Sequence, residues 1–269
     1  MDEKRIEVIK TVSKVSLVVF LIFLIGYVVL YLISFIFDDG GGIRDVEITN
    51  VSSNSFTVVW VTDRPVLSEV LVSESENFLD LVPRWTSGAK NYFDERDVSQ
   101  ENDGRYVYKQ NKARTHHFVT IRDLDPEREY YFRILGGLKA FKIDDKFKVK
   151  TFKETESTQT PFPVMSRAIN SEDESVFLQD AFVVVTVYKE NTIGQKIATF
   201  VNNNNGGWTF DLRNVRKEDG ELMDWGVEPD ILADVYFRYA DKNKVSRNLL
   251  KLNPTGVLEN IFYNFDVGN

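Results

Sequence analysis

The sequence predicts an all-β protein: two tandem antiparallel β-sandwich domains on a single N-terminal transmembrane helix. Three observations carry that prediction. Residues 15–37 (VSLVVFLIFLIGYVVLYLISFIF) hold no charged side chain, and as a helix they reach ~35 Å, enough to cross a ~30 Å hydrocarbon layer. Beyond them, apolar and polar residues alternate with a period of two in short runs divided by turn residues. The chain is also rich in Phe (20) and Tyr (11), residue types that fit a pleated, half-buried surface.

The elements follow in order. Residues 1–14 form a cytoplasmic stub bearing Lys4, Arg5, Lys10 and Lys14, whereas Asp38 and Asp39 follow the apolar run and the next cation is Arg44. The positive-inside rule then puts the N-terminus in the cytoplasm and the rest outside, a single-pass cell-membrane topology with extracytoplasmic C-terminal domains. A cleaved signal would end in small residues, and this run ends in Ser34-Phe35-Ile36-Phe37. Residues 38–42 (DDGGG) are a flexible spacer.

Residues 43–152 read as the first sandwich. Val46 and Ile48 alternate with Glu47 and Thr49. Phe56, Val58 and Trp60 share one strand face, as do Val70 with Val72, Val119 with Ile121, and Tyr130 with Phe132 and Ile134. Lys146, Lys148 and Lys150 alternate with Phe147, Val149 and Thr151. The runs VEITNVSSNSFTVVWVTDRP (46–65) and HHFVTIRDLDPEREYYFRI (116–134) resemble a fibronectin type III domain, specifically the N-terminal domain of purple acid phosphatases. The resemblance implies a tyrosine corner in which the Tyr130 hydroxyl bonds to upstream backbone. Residues 74–114 depart from that pattern as a long charged insertion, with a hairpin expected around Arg105–Lys109. Long loops on rigid scaffolds tend to carry function. Its aromatics Trp85, Tyr92, Phe93, Tyr106 and Tyr108 form the candidate interaction surface.

Residues 153–163 (KETESTQTPFP) read as a linker, and 164–269 as the second sandwich. Strands are expected over 182–188, 196–201, 208–212, 230–239 and 257–265. The tract from Asn202 to Gly207 suits a hairpin turn, because Asn and Gly tolerate positive φ. VVVTVYKENTIG (183–194) and NGGWTFDL (205–212) resemble the transthyretin-like or carboxypeptidase-regulatory-like sandwiches.

The chemistry is sparse. The chain has no cysteine and a net charge of −8, which removes thiol chemistry and argues against nucleic acid as a partner. His116 and His117 are adjacent on a strand and point to opposite faces, so they cannot share a metal; parity puts His117 inside with Val119 and Ile121. Asp94, Glu95, Asp97, Glu101 and Asp103 offer oxygen ligands for calcium but lack EF-hand spacing, and a charged loop is more often a solvated one. No catalytic, cofactor or metal residue is predicted. Asn50-Val51-Ser52 is a lone glycosylation sequon. The sequence therefore predicts a membrane-anchored, non-catalytic structural or protein-interaction module of a prokaryotic cell envelope. Its expected partners are the membrane and either an envelope protein or a cell-surface glycan. The alternative is a carbohydrate- or cell-wall-binding surface protein, for which Trp85, Tyr92, Trp208 and Trp225 are candidate contact residues.

Overall fold

A computed structural model of the chain describes residues 13–14, 16–17, 19–29, 42–76, 89–109, 112–136, 139–141, 147–155, 161–170, 177, 181–225, 232–238, 248–251 and 261–263. The N-terminal part corrects the expected topology. Among the described residues no helix is long and apolar enough to cross a membrane. The transmembrane helix over 15–37, the single-pass membrane localisation and the membrane as partner are set aside on that finding. Residues 15, 18 and 30–37 of the expected span lie outside the described residues. Among the described helical residues, Leu17, Phe20, Phe23 and Ile25 are exposed.

The remainder is mostly antiparallel sheet, consistent with sandwich domains. The first ten strands are β1 (Arg44–Thr49), β2 (Phe56–Val66), β3 (Glu69–Ser73), β4 (Lys90–Phe93), β5 (Val98–Gln100), β6 (Tyr106–Tyr108), β7 (Arg114–Ile121), β8 (Glu129–Gly136), β9 (Lys139–Phe141) and β10 (Lys148–Lys150). One sheet runs β1-β2-β7; the facing one runs β10-β8-β3-β4, with β9 added on β8. Period-two alternation places Phe56, Val58, Trp60, Val70, Val72, Val119, Ile121, Phe132 and Ile134 in the space between them, all buried. The Tyr130 hydroxyl accepts the Asp125 backbone N–H at 2.8 Å, the corner bond expected from the sequence.

The insertion is partly a structural member of this unit. Its β4 pairs with β3 from Glu69↔Phe93 to Val72↔Lys90. The next residue, Asp94, bridges to Val119 of β7 in the opposite sheet. The chain thus steps from one sheet to the other and closes that side of the sandwich. β5 and β6 form a separate hairpin just beyond it.

The later strands are β11 (Pro163–Asn170), β12 (Phe182–Lys189), β13 (Thr192–Ile193), β14 (Ile197–Phe200), β15 (Gly207–Asp211), β16 (Leu232–Arg238), β17 (Asn248–Lys251) and β18 (Ile261–Tyr263). They make a β15-β11-β18 sheet, whose β11–β18 pair is parallel, and a β13-β12-β16-β17 sheet with β14 on β12. Val164, Ala168, Val183, Val185, Val187, Trp208, Leu212, Met223 and Trp225 fill the space between. The Asn202–Gly207 tract is a turn held by Asn202 N–H to the Gly207 carbonyl and Gly206 N–H to the Asn202 carbonyl, both 2.8 Å. It does not close a hairpin as expected: β14 belongs to one sheet and β15 to the other. Gly206 has φ +68°, and a Cβ there would sit 2.3 Å from the Ala168 carbonyl oxygen, so only glycine fits this crossing.

A third apolar cluster joins the two pairs of sheets. Val59 and Phe118 point away from their own core and meet Phe182, Val184 and Ala198, which also face outward from theirs. Phe118 lies 4.3 Å from Phe200 and 5.6 Å from Phe182 between ring centroids. Burying such side chains contributes roughly 1.5–3 kcal/mol each. Asn50 (φ 51°) pins the rim of this junction. Its Nδ2 donates to the Ala198 carbonyl at 2.9 Å and its Oδ1 accepts the Ala198 N–H at 3.0 Å. Its backbone N–H also reaches the Lys196 carbonyl at 2.9 Å. Lys196 in turn pairs with Glu47 at 2.5 Å.

Candidate aromatic binding surface

The expected interaction residues divide into three fates. Trp85 lies outside the described residues. Tyr92 turns inward from β4 against the first core and donates its hydroxyl to the Arg122 carbonyl at 2.9 Å. Burial first, then the neighbouring Asp123 carboxylate, push its phenol up to about 12, so it stays a neutral donor. Phe93, Tyr106 and Tyr108 gather on the hairpin side. Tyr106 and Tyr108 are two residues apart on β6, hence on one face of the strand. They are 47% and 38% exposed.

Each of these two rings rests on a partner. Tyr108 stacks on Phe93 with centroids 4.2 Å apart. The Arg122 guanidinium lies 4.2 Å from the Tyr106 centroid, a cation–π contact on one ring face. Arg122 is itself held by Glu95, Nη2 to Oε1 at 2.5 Å.

A short 3-10 turn, Glu95–Asp97, supports the hairpin through buried charge pairs. Asp94 is fully buried. It accepts Arg96 Nε at 2.7 Å and Nη2 at 2.8 Å, and the Phe118 backbone N–H at 3.1 Å. Burial works against its ionisation, but the Arg96 hydrogen bonds and charge, with the Phe118 N–H, outweigh it and hold the carboxyl below its usual range. Arg96 also donates to the His116 carbonyl at 2.5 Å and lies 5.5 Å from the Phe200 ring, tying the turn to the junction. Asp97 is buried and takes both Arg114 terminal nitrogens at 2.8 Å.

The acidic residues weighed as calcium ligands are therefore committed elsewhere. Asp94 faces Arg96, Glu95 faces Arg122, Asp97 faces Arg114, Asp103 faces Arg105 and Glu101 faces Lys109. Among the described residues no group of three or more His, Cys, Asp or Glu could hold a metal ion. His117 is fully buried, stacked on Trp60 at 4.6 Å and clamped between Ser68 Oγ (2.6 Å from Nδ1) and Thr62 Oγ1 (2.8 Å from Nε2). Although it stands beside a serine, it is sealed from solvent. Trp208 and Trp225, weighed as glycan contacts, are both buried, and Trp225 donates its indole N–H to the Leu212 carbonyl at 2.7 Å.

No protein-family description and no curated protein matches the chain. Among solved structures, a structure of PhoD matches at 14% identity and TM-score 0.24, over 53% of this chain and 23% of that one. The FN1–FN3 domains of chicken CNTN1 match at 11% and 0.23, over 82% and 67% of the two chains. Domains D2 and D3 of the major pilin SpaD from Corynebacterium diphtheriae match at 10% and 0.24, over 82% and 98%. These are distant likenesses to fibronectin type III and pilin β-sandwich domains. None singles out the purple acid phosphatase or transthyretin-like assignment made from the sequence.

Proposed function

We propose that the chain is a non-catalytic carbohydrate-binding protein. It would be built of two sandwich domains, residues 43–152 and 164–269, joined by 153–163, with its binding surface on the 74–114 insertion. The membrane-anchored envelope role expected from the sequence gives way to this reading, because no described helix is long and apolar enough to cross a membrane. One observation carries the proposal. Tyr106 and Tyr108 share a strand face, each ring is braced from one side by Arg122 or Phe93, and both remain substantially exposed. A sugar ring presents a face of C–H groups to which the electron-rich face of a phenol is complementary. Braced rings lose little side-chain entropy on binding.

Glycan-array binding followed by calorimetry on the full chain tests this, with Tyr106→Ala and Tyr108→Ala as variants. Both should bind the selected glycan at least several-fold more weakly while unfolding at an unchanged urea midpoint. Binding that survives both substitutions places the site elsewhere.

A further inference from the structure

The same surface also restricts the class of glycan it can take. Resting on the carbohydrate-binding reading, we infer that the ligand is an uncharged, extended oligosaccharide that covers Tyr106 and Tyr108 together. Residues i and i+2 on a strand lie about 6.6–7 Å apart, so a single sugar ring stacked on one phenol leaves the other uncovered. Only a ligand with at least two consecutive rings running along β6 uses both.

The ion pairs around the hairpin favour a neutral ligand over an acidic polymer. Arg122 is engaged by Glu95 at 2.5 Å, Arg105 by Asp103 at 2.6 Å, Arg114 by Asp97 at 2.8 Å and Lys109 by Glu101 at 3.2 Å. A uronate or sulfate would have to displace a carboxylate to gain any of these four cations, which leaves Lys112, exposed beside Asp97, as the described cation it could meet without exchange. At Asp97 the exchange would strand a buried charge, which is costly. Hydroxyl groups face no such exchange. They can share the outer lone pairs of Glu101 and Asp103 and the free N–H groups of Arg105 without breaking a pair.

Calorimetry on the full chain tests the inference with neutral β-linked mono-, di- and tetrasaccharides against hexuronate oligomers of equal length, at about 0.05 M and about 0.5 M salt. Affinity for the neutral series should rise about two- to tenfold when the second ring is added, the gain of one further stacking contact. Salt should change it less than twofold. Tyr106→Ala should abolish the gain with length and Tyr106→Phe should restore it. A flat response to length overturns the inference and leaves glycan binding standing, as does a salt-sensitive preference for hexuronates. Failure to bind any oligosaccharide, or binding of a protein only, overturns the carbohydrate reading beneath it.

Discussion

Acidification should destabilise the first sandwich through one side chain, His117. It is buried between Ser68, Thr62 and the Trp60 ring, and burial lowers its pKa from the usual 6.5 to about 3. Arg96, His116 and Arg114 push the same way, while Asp94 opposes. The unfolded chain therefore binds a proton at this site below pH ~6.5 that the folded chain refuses until pH ~3. Stability from this group is complete above ~6.5 and falls as pH drops between those values, by about 1.4 kcal/mol per pH unit. From pH 7.5 to 4.5 the loss is about 2.7 kcal/mol. That figure hardly depends on the folded value, because pH 4.5 lies above it. The assay is urea unfolding of wild type and His117→Gln at both pH values. Taking the difference between the two proteins cancels every other titrating group. The wild-type advantage at pH 7.5 should shrink by about 2.7 kcal/mol at pH 4.5. An advantage that stays constant to within about 0.5 kcal/mol would mean His117 is protonated in the fold, and the argument would fail.

Three further outcomes are expected. Tyr130→Phe removes the acceptor for the Asp125 N–H and should lower stability by about 0.5–1.5 kcal/mol, read from the urea midpoint. Asn50→Ala frees both polar groups of Ala198 at the junction; it should cost about 1–3 kcal/mol and speed proteolysis within 153–163 under native conditions. Replacing 77–112 by a Gly/Ser connection should abolish cooperative unfolding of the first sandwich. It removes β4, the inward Tyr92 and the buried Asp94 together, although loop closure alone would tolerate it.

Much of the sheet structure, and the inward side of His117, could be read from period-two alternation, and the corner bond of Tyr130 from the resemblance to a fibronectin type III domain. In the insertion only the hairpin around Arg105–Lys109 was legible. The strand the insertion adds to the β10-β8-β3-β4 sheet is four residues long, KNYF, too short for periodicity to show. Asp97 and Glu95 look like solvated loop charges because their partners, Arg114 and Arg122, stand far along the chain. Charge pairing at such separation leaves no local pattern. The junction did leave a signal. Both FTVVWV and FVVVTVY are apolar at consecutive positions, so both faces of those strands are covered; giving the first a single apolar face misses that its outward face meets that of the second. The candidate tryptophans misled for the opposite reason, since Trp208 and Trp225 are large enough to be core.

The Asn50 clamp also settles the standing of the sequon that contains it. N-linked sugar is attached through Nδ2, which keeps a single hydrogen afterwards. In the fold that nitrogen donates twice, to the Ala198 carbonyl at 2.9 Å and to Thr57 Oγ1 at 3.3 Å. A modified Asn50 can satisfy at most one of these, and the sugar would have to occupy the rim where the two sandwiches meet. Glycosylation and docking are thus mutually exclusive states of one side chain. Expressed through a glycosylating secretory route, the chain should yield an unmodified Asn50 peptide from its compact fraction by mass spectrometry. A compact fraction carrying glycan at Asn50 would show that the clamp is dispensable.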